Sequence, residues 1–216
     1  MKFGSFQQFK ECAYFGVIRK FLAFHPVESQ QKQLFLTFDD GPEPGITEFI
    51  LDLLTQYQAK ATFFCCGHNV DANPQLFEQI RSAGHSIGNH TYSHINGLAT
   101  APRAYIDDVK KCDERTGKTI LFRPPWGMLN LREIYALRHK TLVLWDAESG
   151  DVRSDYSLEK VCHDIDRCLD TQGNCIVLFH FSNEHENRTR AILPQLLEYY
   201  TEKGCVFLPI NSQSHA

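Results

Sequence analysis

Short apolar, β-rich runs recur along the chain: QLFLTF (33–38), ATFFCC (61–66), HSIGN (85–89), TILF (119–122), TLVLW (141–145), NCIVLF (174–179) and CVFLPI (205–210). Between them apolar positions repeat with helical period, over about 46–57, 74–83, 101–117, 130–138, 157–171 and 188–203. Seven strands alternate with helices. Near-continuous apolar strands in such an alternation predict a parallel sheet covered by helices. Seven units fit either a doubly wound open sheet or a barrel of βα units.

Residues 1–30 have a different pattern. Phe6, Phe9, Ala13, Val17 and Phe21 form one stripe, with Tyr14, Ile18 and Leu22 beside it, and Lys10, Glu11, Arg19 and Lys20 interrupt the apolar run. The spacing predicts an amphipathic helical extension (1–30) ahead of a single domain (31–212), packed on that domain or docked at a membrane surface. The stretch lacks the continuous apolar core and small-residue cleavage site of a signal peptide. No run of 18 apolar residues occurs, so no transmembrane helix is expected and the expected location is cytoplasmic, with membrane association through the helix as the alternative.

Composition narrows the picture little further. The chain has 216 residues, 43% apolar and 22% charged, which suits one soluble domain with a sizeable core. A net charge of −4 without a basic tract argues against nucleic acid as a partner. Eight cysteines occur without a CxxC pair, and several sit inside apolar runs, so reduced core thiols are expected.

The polar residues that follow the strands are more informative. Asp39 and Asp40 follow the first, His90 and His94 the third, Arg123 the fourth, Asp146 and Asp151 the fifth, and His180 the sixth. In a parallel α/β fold these positions share the C-terminal face, where such folds build their sites.

That set has a definite chemistry. His90 and His94 are four apart, and a helix after the strand would place both imidazoles on one face. Two histidines and one carboxylate make a three-ligand metal site with room for water. Adjacent like charges at Asp39 and Asp40 are costly to desolvate, and a divalent cation on Asp40 would offset that cost, leaving Asp39 to accept a proton. Arg123, stiffened by two prolines, fits a carboxylate clamp or a surface ion pair. His180 fits a proton donor or a satisfied core histidine, and Asp151 a partner that raises its pKa or a turn residue. Trp126 fits an aromatic wall for a sugar or plain packing. His68, after the second strand, is a weaker candidate for the same face.

With those residues collected, the chain resembles the polysaccharide deacetylase family, the NodB-homology domain of carbohydrate esterase family 4. TFDDGP, HTYSH and RPPWG match its first three motifs, WDAESGDV is similar to the fourth and IVLFH to the fifth, in order across about residues 33–210. The resemblance implies a distorted (β/α)7 barrel, TIM-barrel-like, and metal-dependent hydrolysis of an N-acetyl group on an amino sugar. It implies Asp39 as base, Asp40, His90 and His94 as ligands of one divalent ion with zinc expected, and Arg123 orienting Asp39. His180 would be the acid, tuned by Asp151. Leu178 would help form the acetyl pocket, and a backbone N–H near Trp126 or Tyr92 would face the oxyanion. Two positions depart from the pattern. Phe181 stands where the family often has Asp, and Val152 where it often has Trp. Glu184 and His185 fall near the site without an implied role. The alternatives are a deformylase or deacetylase of a lipid-linked sugar, a non-catalytic sugar-binding barrel, and an iron(II) oxygenase on a two-His-one-carboxylate triad. The last leaves Asp39, Arg123 and His180 without a task.

Overall fold

The computed structural model describes Phe24, Pro26 and residues 29–153 and 156–211. The amphipathic helix expected in the N-terminal extension lies outside the described residues. Of the flanking stretch, Phe24 is buried and donates its N–H to Leu142 O at 2.6 Å.

The strands are β1 (Gln33–Asp40), β2 (Thr62–Cys65), β3 (Ser86–Asn89), β4 (Leu121–Phe122), β5 (Thr141–Leu142), β6 (Ala147–Glu148), β7 (Asn174–His180) and β8 (Val206–Phe207). The helices are α1 (Ile46–Gln56), α2 (Gly67–Ala72), α3 (Pro74–Ser82), α4 (Pro102–Thr116), α5 (Leu131–Ala136), α6 (Leu158–Gln172) and α7 (Glu186–Glu202). The strands pair in parallel in the order β5-β4-β3-β2-β1-β7-β6. The two end strands, β5 and β6, are consecutive in sequence, joined by residues 143–146. Five Cα–Cα steps span at most about 17 Å, so the sheet must curl until its edges nearly meet, and no ladder joins them among the described residues. The seven strands of this path form an open (β/α) barrel, which decides between the two architectures the alternation allowed in favour of the distorted (β/α)7 barrel that the resemblance implied.

Two details differ from the expectation. The fifth run, 141–145, yields only β5, and a separate short strand, β6, follows it. The seventh run becomes β8, which lies off the path. It pairs with Gln33 and Leu34 on the side of β1 where β2 joins only from Thr37 onward, and so wedges the sheet open at its base.

Period-two alternation then sets the site. Leu34, Leu36 and Phe38 of β1, with Cys175, Val177 and Phe179 of β7, belong to the outer core shared with α1, α6 and α7. Phe35, Ile176 and Leu178 belong to the inner core with Phe64, Phe122 and Trp145. Thr37, Asp39 and His180 continue the inner parity toward the C-terminal end, and Asp39 and His180 are register partners. No described helix is long and apolar enough to cross a membrane.

Candidate active site

Alternation alone would send Asp39 and Asp40 to opposite faces. Asp40 takes a left-handed backbone, φ 89°, and both residues line the same cavity of about 550 Å³. The turn is held by the start of α2, at the edge of the same cavity. Cys66 N–H meets Asp40 O and Gly41 O at 3.1 and 3.2 Å, and Asn69 Nδ2 donates to Asp40 O at 3.1 Å. Position 41 has to be glycine, because a Cβ there would lie 2.5 Å from the Phe181 ring. Phe181 itself is fully buried and meets Phe63 edge-on at 5.2 Å. The residue after His180 therefore serves the core.

The HTYSH segment is not the helix expected from the i,i+4 spacing. It is an irregular loop with left-handed backbone at Thr91 (φ 64°) and His94 (φ 51°). His90 turns Nδ1 to Arg123 O at 2.7 Å. A carbonyl only accepts, so Nδ1 carries the proton and Nε2 is left as a ligand. Nε2 of His90 and of His94 stand 3.5 and 3.2 Å from Asp40 Oδ1, and the three donor atoms lie within 4.8 Å of one another. Asp40 Oδ1 is buried yet accepts no hydrogen bond. Tetrahedral ligands about 2.05 Å from one zinc would be about 3.3 Å apart. The N–O spacings and the orphaned oxygen fit a divalent cation. Trp126 sets its ring against His94 at a tilt of 57°, centroid to centroid 4.4 Å, from a left-handed backbone of its own (φ 56°).

Arg123 lies fully buried inside the barrel. Nη1 donates to Asp39 Oδ1 and Thr37 Oγ1, both at 2.8 Å, Nε donates to Val143 O at 3.1 Å, and Nη2 to Leu144 O at 3.3 Å. Its guanidinium also lies over the Phe64 ring at 4.3 Å. Burial lowers the Arg123 pKa and Asp39 opposes that shift. The surface ion pair is excluded by this burial. Asp39 Oδ2 is left facing the ligands, 3.8 Å from His90 Nε2.

Across the cavity, Asp151 Oδ2 accepts the His180 backbone N–H at 2.6 Å, and Oδ1 stands 3.1 Å from His180 Nδ1. Thr189 Oγ1 donates to the same carboxylate at 3.3 Å. Burial lowers the His180 pKa, but the Asp151 carboxylate, with Asp40 and Asp39 farther off, raises it to about 10. Asp151 is moved below its usual value, because His180 outweighs its burial.

Leu178 and Trp126 line the cavity as expected, and so do His68, Glu184 and His185. His185 meets the His180 ring edge-on at 5.2 Å. Two candidates fall elsewhere. Tyr92 is absent from the cavity wall. Its N–H is donated to Asp108 at 2.8 Å, its hydroxyl to Asp71 at 2.9 Å, and Lys111 caps its ring, so neither its backbone donor nor its ring faces the site. Asp146 exchanges two 2.8 Å bonds with the backbone of Ile176 and acts as a sheet edge. Sequence reasoning missed Glu43, Trp145 and Glu148 in the wall. Glu148 pairs in register with Leu178 on β6, and its signal lay in the WDAESGDV motif, where Asp146 and Asp151 drew the attention. Glu43 carried no signal; it reaches the wall by accepting the Asn183 N–H at 2.8 Å.

A family model described as polysaccharide deacetylase matches residues 27–144. That match stops before β6 and β7, so Asp151 and His180 lie beyond it. The chain is 33% identical over 193 residues to a peptidoglycan-N-acetylglucosamine deacetylase of Bacillus cereus, covering 86% of this chain and 89% of that one. It is 34% identical over 145 residues to a peptidoglycan-N-acetylmuramic acid deacetylase of Bacillus subtilis, covering 63% of this chain and 55%, about half, of that one. Its fold is similar, with a TM-score of 0.80 and 26% identity, to a crystal structure of a peptidoglycan N-acetylglucosamine deacetylase in complex with 4-naphthalen-1-yl-N-oxidanyl-benzamide, over 91% of this chain and 94% of that one.

Proposed function

The chain belongs to the polysaccharide deacetylase family, and from that premise we propose that it removes N-acetyl groups from an N-acetylglucosamine-containing oligo- or polysaccharide, using one divalent ion, zinc by its donor set. The observation that carries this reading is the orphaned Oδ1 of Asp40 beside two imidazole Nε2 atoms, in a cavity that Asp39 and His180 also line. Aspartate with two histidines suits zinc and leaves room for substrate.

A divalent cation held by Asp40, His90 and His94 supplies Lewis acidity, polarising a carbonyl oxygen and acidifying a water. The remaining work falls to the chain. Asp39 keeps Oδ1 on Arg123 and offers Oδ2 to take a proton as water adds to the amide carbonyl. Arg123 is fixed by four hydrogen bonds, so the base is held in one orientation without reorganisation during the reaction. His180 commits Nδ1 to Asp151, which leaves Nε2 to give its proton to the departing nitrogen as the C–N bond breaks. Acetate and a free amine result. Leu178, two residues before His180 on the inner face of β7, walls the acetyl methyl. Trp126 lines the cavity beside His94, and its backbone N–H is the donor for the developing oxyanion in this reading.

Acetate release from a panel running from chitooligosaccharides to peptidoglycan fragments tests this reading, with chelator-treated and zinc-reloaded enzyme side by side. Release that is lost on chelation and regained with zinc is expected. Zinc-loaded enzyme that frees acetate from none of them would refute it.

A further inference from the structure

The loop between the two histidines must hold a conformation that its own backbone opposes. Thr91 is β-branched, and both it and His94 sit at positive φ, which persists only where the surroundings over-determine it. The loop has no ladder of its own, so its polar groups can be followed one by one. Thr91 N–H goes to Asn89 Oδ1 at 2.9 Å, and Ile95 N–H to Thr91 Oγ1 at 3.3 Å. The carbonyls of Thr91 and Tyr92 accept the N–H groups of Gly67 and His68 at the start of α2, both at 3.0 Å. The N–H groups of Tyr92 and Ser93 converge on Asp108 Oδ2 at 2.8 and 2.9 Å, and Ser93 Oγ donates to Asp108 Oδ1 at 3.0 Å. Asp108 is the carboxylate among these holders that takes backbone N–H groups of the loop; Asp71 takes from it only the Tyr92 hydroxyl, at 2.9 Å, and His68 Nδ1 also meets Tyr92 O at 2.7 Å. Hydrogen bonds to a carboxylate are about twice as strong as neutral ones.

We propose that Asp108 is a positioning residue for the metal centre, fixing the Thr91–His94 turn so that both imidazoles meet Asp40 before a cation arrives. The inference rests on the reading that Asp40, His90 and His94 hold that cation. Asp108 is suited to the task by its seat. It lies mid-way along α4, a 15-residue helix anchored by buried Tyr105, Val109 and Cys112. The same helix holds the other end of the loop, because Asn89 Nδ2 donates to Val109 O and to Asp113 Oδ1, both at 2.8 Å. A rigid element thus grips the loop on both sides of His90. Such support keeps ligands within the narrow tolerance a metal site needs. Asp108 lies outside the cavity wall, so it acts through the loop alone.

The test is zinc affinity by chelator competition on the full chain, with the visible spectrum of the cobalt-substituted protein as a second readout. Asp108→Asn keeps the shape but replaces one acceptor oxygen with a donor. It should weaken zinc binding roughly 10- to 100-fold and broaden the cobalt spectrum, while saturating zinc restores most of kcat. A merely structural role would lower the melting temperature of the metal-free protein and leave zinc affinity alone. Ser93→Ala removes one of the three donors without touching α4 and should weaken zinc binding by a smaller factor. Unchanged zinc affinity in Asp108→Asn overturns the proposal. If that variant does not fold, unchanged affinity in Ser93→Ala overturns it instead. A wild-type chain that takes up no zinc would overturn the functional reading and this proposal together, whereas a tight wild type with an equally tight Asp108→Asn overturns only this one.

Discussion

Arg123 donates Nη1–H to Oδ1 of Asp39 at 2.8 Å, and the two side chains are 0% and 5% exposed. Such a pair is worth little against an apolar substitute, but breaking it strands a buried charge. Arg123→Ala should therefore cost about 3–5 kcal/mol of stability, read as a fall in the urea midpoint. Arg123→Lys keeps the charge but cannot span the acceptors that the guanidinium fork reaches at Thr37, Asp39, Val143 and Leu144. Its kcat/KM should fall on the order of 10²-fold with zinc content intact. Wild-type turnover in the lysine variant would show that charge alone matters and that orientation does not.

The two adjacent aspartates should separate by experiment. Asp39→Asn removes the proton acceptor but no ligand, so it should keep zinc and lose roughly 10²-fold or more in kcat. Asp40→Asn replaces an anionic ligand with a neutral one and should weaken zinc binding itself. Metal content and single-turnover acetate release measure both. Zinc lost in Asp39→Asn and retained in Asp40→Asn would reverse the assignment.

The gathering of Asp39, Asp40, His90, His94, Arg123, Asp151 and His180 at one end of the sheet was legible in the sequence from the parallel alternation, whereas their roles came only with the resemblance. What was not legible is instructive. Period two predicts that Asp39 and Asp40 diverge, and only the positive φ of Asp40 brings them together. The i,i+4 spacing of His90 and His94 was a true signal of proximity attached to the wrong local structure, because hydrogen bonds donated to Asn89 and Asp108 and accepted from α2 override helical geometry there. Tyr92 is separated from the ligands by the same cause: its N–H belongs to Asp108. β6 was invisible because two residues carry no periodicity, and with it went Glu148.

Trp126 offers a different test, because the residue is 41% exposed, lines the cavity and sets its ring against His94. An exposed aromatic face beside the ligands suits the apolar face of a sugar ring. Trp126→Ala should raise KM about 10-fold, which is about 1.4 kcal/mol of binding, and lower kcat less. A zinc affinity that falls while KM holds would recast Trp126 as a support for His94.

The pH dependence follows from His180 and Asp151. His180 has its pKa raised from 6.5 to about 10, with the Asp151 carboxylate the largest raising influence against burial. A raised imidazole contributes stability that is fully present below its unfolded value of about 6.5 and is lost as pH rises through the folded value. Asp151, pushed down, contributes stability that is lost as pH falls through its own folded value. The two shifts describe one coupled pair and count once. For catalysis, His180 must be protonated, so its deprotonation sets the alkaline limb of kcat/KM. In the zinc-loaded enzyme the cation offsets Asp40 and repels the imidazolium, which places that limb between the ordinary 6.5 and about 10. Asp151→Asn removes the main raising influence and should move the limb down toward 6.5, with less change on the acidic side. His180→Ala should lower kcat with zinc content unchanged, least for substrates whose leaving nitrogen needs little protonation. His185, edge-on to His180 in the same cavity, is the competing donor. A limb that stays in place in Asp151→Asn and vanishes in His185→Ala would transfer the acid role to His185 and leave His180 as a packed residue of the β7 terminus.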